Sequence, residues 1–476
     1  MRTLEAALAA HPFPFELEQM QKIDIVKAAG WGRCLLDLPV GYGKTAISTA
    51  VSLMLEPETT LVLVPPILIV QWVAWLGSIT GADSVVGYTG SPAQRAKLVV
   101  RGTRYLVMSY QVFLNDIDRL RKELAGRDVL TIVDECQYIK GRGKAFKGVR
   151  DFSAGRNLIL MSGTIMSKPG DGYAYVKLNS PEVYRTYDQF ENIHVAERNI
   201  FKQVTKWQHL DLLQANLNIA RVKRTKEEVH SALPKARYIP VLYDLSKEHM
   251  ALYKQLMEEQ LLELPDGGKI DATNASRLHH AAQQIVTNYG YYAGDETKRS
   301  GVYDLVDALM DQIALGQAAD PALGVPVSSK LILWTLYKKT SAAMLGHVNA
   351  YLEQRNDGAR AVAAYSEANA KKSVAEFLGD DRTVALVAQP GSAGAGLNPQ
   401  HLCWNCVFIE TPTTNIPFEQ SAGRIDRKGQ KFNPNIYLLI ARGTIQESLL
   451  KNLFSNDNLV QQASGGKQAL KNLIFP

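Results

Sequence analysis

Cysteine is scarce in this chain, with four residues in 476: Cys34, Cys136, Cys403 and Cys406. So few exclude a disulfide-stapled secreted domain and point to a reducing compartment. Cys403 and Cys406 form a C-x-x-C pair, but no second pair lies nearby to complete a tetrahedral zinc site. The adjoining Val407-Phe408-Ile409 reads as a buried strand, so both thiols are expected in a core. Long apolar runs are also missing. The longest, Leu61 to Val70, is interrupted by Pro65-Pro66 and is too short to cross a bilayer. The start, Met1-Arg2-Thr3-Leu4, lacks the apolar stretch of a secretion signal. No low-complexity tail and no short internal repeat is visible. Nor is charge of one sign in strong excess: 53 Lys and Arg face 47 Asp and Glu, a formal charge of +6. That mild basic balance is compatible with a nucleic-acid partner without requiring one.

What is present is apolar material, 46% of residues, enough for at least two substantial cores. The first half alternates short apolar strands with helical patterns, as a parallel α/β sheet requires. Its expected strands are Cys34–Leu38, Thr60–Val64, Tyr105–Met108, Leu130–Val133 and Leu158–Met161, with helices such as Lys44–Leu55 and Ile67–Leu76 between them. The second half repeats the rhythm at Arg237–Tyr243, Leu331–Trp334, Ala361–Tyr365, Val384–Val387, Val407–Ile409 and Ile436–Leu439. Two α/β domains in tandem are expected, 1–230 and 231–476, with Arg221–Pro234 as the connection. Two stretches break the rhythm and read as helical protrusions, about 168–220 and about 247–322, the second opening with a helix over Lys247–Leu264.

The sharpest local signal is Pro39-Val40-Gly41-Tyr42-Gly43-Lys44-Thr45, placed after a strand and opening a helix. Gly41 and Gly43 let backbone N–H groups turn toward phosphates, and a helix N-terminus adds a favourable dipole. Lys44 would contact the phosphates and Thr45 would ligate Mg²⁺. A Gly-rich turn with an exposed lysine is the plainer alternative for this motif taken alone. It is accompanied, however, by Leu130-Thr131-Ile132-Val133-Asp134-Glu135, an apolar strand ending in two acids. Asp134 there can hold Mg²⁺ through water, and Glu135 can orient or deprotonate an attacking water. The third part is Gln420-Ser421-Ala422-Gly423-Arg424-Ile425-Asp426-Arg427. Arg424 and Arg427 are three apart, and on a helix their guanidiniums would point the same way. Facing a γ-phosphate from the other lobe, they would stabilise phosphoryl transfer and make it depend on lobe closure.

With these parts in place, nearly the whole chain resembles helicase superfamily two, and within it the Swi/Snf-type DNA translocases. Leu61–Trp72 resembles motif Ia, Val107-Met108-Ser109-Tyr110 motif Ib, and Asp134-Glu135-Cys136-Gln137 the D-E-x-H box. Ser162-Gly163-Thr164 is similar to motif III, Gly394–Asn398 to motif V, and Gln420–Arg427 with Gly429-Gln430 to motif VI. Arg224-Thr225-Lys226-Glu227-Glu228-Val229 with Leu233-Pro234 resembles the family's linker, Leu245-Ser246 with Leu252-Tyr253 the opening of its second lobe, and Gly443–Ser448 its closing helix.

The resemblance implies two RecA-like lobes and DNA-stimulated ATP hydrolysis with tracking along duplex or branched DNA, independent of its sequence. It implies ATP contacts from Gln21 (Gln19 in an alternative register), Gly41, Gly43, Lys44, Thr45, Gly396 and Gln420, and coupling through Ser162, Gly163 and Thr164. Its DNA contacts would be Gln71, Ser109, Tyr110 and Asn398. Lys140, Arg142 and Lys144 would either add to them or form a solvated loop. Gln137, Ile165 and the Thr414-Asn415-Ile416 block depart from the family pattern, which touches coupling rather than nucleotide chemistry. The expected protein is a cytoplasmic monomer with ATP and Mg²⁺ as cofactors, nucleoid-associated or in host cytoplasm if viral. The alternatives are a strand-separating DNA or RNA helicase, a motor subunit of a restriction or repair complex, and a non-catalytic adaptor.

Overall fold

The computed structural model describes residues 1–229, 234–263, 269–271, 275–314, 319–320, 325–326, 329–393, 397–451 and 453. The chain divides between Ser231 and Ala232 into two compact units.

The N-terminal unit is built on a seven-stranded sheet whose strands are β1 (Arg33–Asp37), β2 (Thr59–Val64), β3 (Val85–Gly87), β4 (Tyr105–Ser109), β5 (Val129–Asp134), β6 (Asn157–Ser162) and β9 (Arg221–Lys223). Between the last two lies an antiparallel hairpin, β7 (Val195–Arg198) and β8 (Val204–Trp207). The sheet order is β3-β4-β2-β5-β6-β1-β9, and all its pairings are parallel. Helices cover both faces, which explains why β2 and β5 are buried along their whole length and read as continuous apolar runs. One core layer gathers Leu61, Leu63, Met108, Val133 and Leu160; the other gathers Leu36, Ile47, Val62, Ile132 and Met161.

The C-terminal unit opens with β10 (Arg237–Tyr243) and the helix Lys247–Glu259, followed by two small hairpins, β11 (Leu261–Glu263) with β12 (Lys269–Asp271) and β13 (Ala319–Asp320) with β14 (Val325–Pro326). Then come β15 (Leu331–Trp334), β16 (Arg360–Ala364), β17 (Thr383–Ala388), β18 (Asn405–Phe408) and β19 (Asn435–Ala441). Its six-stranded parallel sheet has the order β10-β19-β18-β15-β17-β16. All four cysteines are free and buried, Cys406 within β18 and Cys403 just before it, both as core residues.

Three expectations need correction. Neither protrusion is wholly helical: within 168–220, Val195–Arg198 and Val204–Trp207 pair around a turn at Asn199, whose side chain accepts the Phe201 and Gln203 N–H groups, and within 247–322, Leu261–Glu263 pairs with Lys269–Asp271. The helix from Lys247 stops at Glu259, since Gln260 takes a left-handed conformation (φ 53°) and closes the last turn. Two short edge elements, β3 and β9, extend the first sheet beyond the five expected strands. No helix among the described residues is long and apolar enough to cross a membrane.

Candidate nucleotide site

The strand order places the candidate groups side by side before any side chain is considered. β5, β6, β1 and β9 are adjacent, and the register aligns Asp134 with Met161, Asp37 with Ser162, and Asp37 with Lys223. The acid box, the Ser-Gly-Thr turn, the glycine loop and Arg224 therefore all leave the same carboxyl edge, where open parallel sheets bind ligands.

The glycine loop follows β1 and feeds the helix Lys44–Leu55. Gly41 (φ 85°) and Gly43 (φ 86°) occupy the left-handed region that other residues avoid. A Cβ on Gly43 would also lie 2.9 Å from the Gln21 amide nitrogen. That amide donates to the Tyr42 carbonyl at 2.7 Å, and the Gln21 Oε1 accepts the Glu18 backbone N–H at 2.8 Å. Gln21, rather than Gln19, is thus the glutamine seated against the loop. The Lys44 ammonium donates to the Leu38 and Pro39 carbonyls at 3.1 and 3.3 Å, which parks it over the loop. Thr45 stands next to it in the first helical turn.

Asp134 ends β5 and is buried. Its Oδ2 accepts the Trp72 indole N–H at 2.9 Å, and its Oδ1 accepts the Glu135 backbone N–H at 2.9 Å. Burial pushes its carboxyl up to about 7, reinforced by the charge of Glu135 and opposed by Trp72 and the Lys44 ammonium. Lys44 and the acid box thus lie close enough to feel each other's charge. Glu135 sits at φ 51°, uncommon for a residue with a side chain and a local strain of the kind that clusters at working sites.

Gln137 stands where the resemblance expects histidine, and its amide connects two motifs. Its Nε2 donates to Glu135 Oε2 at 2.9 Å, and its Oε1 accepts the Ser162 hydroxyl at 2.7 Å. Ser162 in turn accepts the Thr164 backbone N–H at 3.0 Å. A Cβ on Gly163 would lie 3.4 Å from the Lys44 ammonium and 3.2 Å from Val40, so this turn packs directly on the glycine loop.

Sequence reasoning missed Asp24. It is fully buried, and its Oδ2 accepts both the Tyr42 hydroxyl at 2.9 Å and Arg224 Nε at 3.0 Å, while its Oδ1 accepts Arg224 Nη2 at 2.5 Å. One carboxylate thus ties the glycine loop to the segment leaving β9. Its partner lies 200 residues away, so no local pattern could announce it.

The residues expected on DNA are distributed less uniformly. Gln71, Arg142 and Lys144 are exposed. Ser109 is buried and caps the helix Tyr110–Asn115, accepting the Val112 backbone N–H at 3.3 Å. The Tyr110 hydroxyl donates to the Asp134 carbonyl, and its ring stacks 5.5 Å from that of Tyr138, which is 61% exposed. Lys140 donates to the Ser167 hydroxyl at 2.8 Å, and Arg142 lies 3.9 Å above the Tyr187 ring.

In the C-terminal unit, Arg424 and Arg427 do not share a helix. The helix Asn415–Ala422, which carries Gln420, ends as the Arg424 N–H closes on Ser421 and both the Ile425 and Asp426 N–H groups close on Ala422. Tight turns follow. Arg427 Nη1 donates to the side chain of exposed Asn398, so this asparagine holds a guanidinium. Gly396 lies outside the described residues. Among those described, no group of three or more His, Cys, Asp or Glu residues could hold a metal by itself. A Mg²⁺ ion here would use Asp134 and Thr45 and complete its shell with nucleotide phosphate and water. The buried, charge-crowded Asp134 is a donor that such a cation would relieve.

Comparison with known proteins bears on the family and the fold. The SNF2-related domain matches residues 18–288. The chain is 22% identical to the mouse DNA annealing helicase and endonuclease ZRANB3, over 87% of this chain and 37% of that protein. It is 21% identical to the uncharacterized ATP-dependent helicase YqhH of Bacillus subtilis, over 95% of this chain and 80% of that one. It thus spans well under two thirds of the mouse relative's length. The helicase domain of Pyrococcus furiosus Hef superposes with a TM-score of 0.51 at 18% identity, covering 91% of this chain and 97% of that one. That likeness is one of fold, two RecA-like lobes in tandem.

Proposed function

The chain belongs to the SNF2-related family, and from that premise we propose that it is an ATP-driven translocase that tracks along duplex or branched DNA. The observation that carries the reading is the junction of Lys44, Asp134, Glu135 and the Ser162–Thr164 turn on one carboxyl edge. In the proposed cycle the glycine loop and Lys44 hold the β- and γ-phosphates, Thr45 and Asp134 hold Mg²⁺, and Glu135 orients the attacking water. Gln21 braces the loop on the nucleotide side. Arg424 and Arg427 supply cations for the charge that develops on the transferred phosphate, with Asn398 fixing the aim of Arg427.

Gln137 gives the cycle a sensor. It contacts both the water-positioning Glu135 and Ser162, so loss of the γ-phosphate at Glu135 is passed to the Ser-Gly-Thr turn through one amide. The exposed Gln71, Tyr138, Arg142 and Lys144 form the proposed DNA-facing set, a charge-led contact that depends on salt rather than on base sequence. Remodelling of forks or of protein–DNA complexes is the proposed task.

ATP hydrolysis measured with duplex, forked, four-way and single-stranded DNA and with RNA duplex tests this directly. At least a tenfold stimulation by a DNA containing duplex is expected. Equal rates with and without every nucleic acid would remove the motor.

A further inference from the structure

We propose that the hairpin of β7 and β8 is a DNA wedge whose tip residues, Ile200 and Phe201, press against the first base pair at a junction of single and double strands. The proposal rests on the DNA-translocase reading above. Ile200 is 90% exposed and Phe201 75% exposed, adjacent on one tight tip. The tip is pinned. Asn199 N–H donates to the Gln203 carbonyl and Lys202 N–H to the Asn199 carbonyl, both at 2.9 Å. The Asn199 side-chain oxygen accepts the Phe201 and Gln203 N–H groups at 3.0 and 2.9 Å, and Arg198 Nη1 donates to the Lys202 carbonyl at 2.8 Å. Lys202 is held at φ 60° to complete the turn. The two apolar side chains are therefore presented outward by a fixed scaffold.

The root of the hairpin is fixed as well. Trp207 packs on Gly170 so closely that a Cβ there would lie 2.8 Å from the indole. The neighbouring Asp171 accepts the Ser167 hydroxyl at 2.7 Å and lies 3.6 Å from the Lys140 ammonium. The root of the hairpin thus packs on the loop that follows the Ser-Gly-Thr turn, and that same loop holds Lys140 at the start of the basic run Lys140–Lys144.

Charge and size select the occupant. Residues 195–207 carry Arg198, Lys202 and Lys206 against Glu197. Two of these cations pair with carboxylates, Arg198 with Glu191 at 2.6 Å and Lys206 with Glu197 at 2.9 Å, but such partly exposed pairs are weak and exchange readily for phosphate. Two side chains offer roughly 300–400 Å², well below the ~800 Å² per partner of a stable protein interface, yet enough to cover a base face. Apolar residues wedged between base steps are a recurrent device, and a junction pair is the least costly to unstack.

The test uses a fork carrying 2-aminopurine in its first base pair, with the whole protein and no nucleotide. Wild type is expected to raise the fluorescence several-fold. The double variant Ile200→Ser, Phe201→Ser should lose the rise and bind the fork about tenfold more weakly, while holding blunt duplex within about twofold. Because both residues are exposed, folding is not at stake. The conservative Phe201→Tyr should keep the rise. No rise with wild type, or an equal rise with the double variant, would overturn the wedge. So would a wild-type dimer that the double variant converts to monomer, since the tip would then be a self-association contact. Because no hydrolysis is involved, a Phe201-dependent rise in a protein whose ATPase ignores DNA would keep the wedge and discard the motor, and the reverse pattern would do the opposite.

Discussion

Each unit buries a carboxylate at the carboxyl edge of its sheet, Asp134 at the end of β5 and Glu410 just past β18, and the two are held in different ways. Burial drives both upward to about 7. Around Asp134 a second carboxylate adds repulsion, while the Lys44 ammonium and the Trp72 indole pull back. Around Glu410 the groups pulling back are neutral: the Thr340 hydroxyl, the Leu336 N–H at 2.8 Å and the Thr287 hydroxyl at 3.1 Å. The first is a charge waiting for cations. The second is a structural clasp that locks the loop after β15 to the helix Ala275–Thr287. A buried acid on this kind of edge is therefore not a site by itself; what sets Asp134 apart is a second carboxylate and an ammonium on the same edge.

The largest difference between the two edges lies in their cations. Lys44→Ala and Arg427→Ala should each lower kcat for ATP by about 10³-fold or more, whereas Glu410→Gln should leave it within about twofold. Steady-state ATPase assays of the three variants settle the matter, and a large loss in Glu410→Gln would place the clasp inside the machinery. Asp24 differs from both, being a buried carboxylate paired directly with Arg224, so Asp24→Ala should destabilise the N-terminal unit by about 3–5 kcal/mol in urea melts. Glu410 sharpens the contrast through pH. Its folded value lies above its ordinary 4.5, so the folded chain keeps a proton that the unfolded chain releases. That contribution is complete below about 4.5 and is lost as pH rises through about 7. Glu410→Gln should abolish this trend, shifting the stability difference from wild type by about 2–3 kcal/mol between pH 4.5 and 8. Smallest is Tyr42→Phe, which deletes one hydroxyl from the Asp24 cluster; about 1 kcal/mol of stability is expected.

Much of the fold was legible because parallel strands buried on both faces are plain apolar runs. β10 and β15, and the helix Lys44–Leu55, match their expected limits. What escaped did so for physical reasons. β3 and β9 have three residues each and draw their stability from neighbours in the sheet rather than from their own pattern. The β7–β8 hairpin is largely exposed, so no hydrophobic alternation marks it. The glycine loop and acid box each stand on contiguous residues, so a local pattern can single them out, and the sheet brings them to one edge. Asp24 with Arg224, and Arg427 with Asn398, are joined only by folding. The arginine pair at 424 and 427 misled in one respect, since its spacing suits a helix but the chain there closes into turns.

The claim on which the rest depends is that Glu135 acts on water at a nucleotide already bound by Lys44 and its loop. Single-turnover hydrolysis by Glu135→Gln, alongside equilibrium binding of ATP, tests it most directly. Affinity within about threefold of wild type is expected, with hydrolysis slowed by at least about 10²-fold. Hydrolysis at the wild-type rate by this variant would contradict the account.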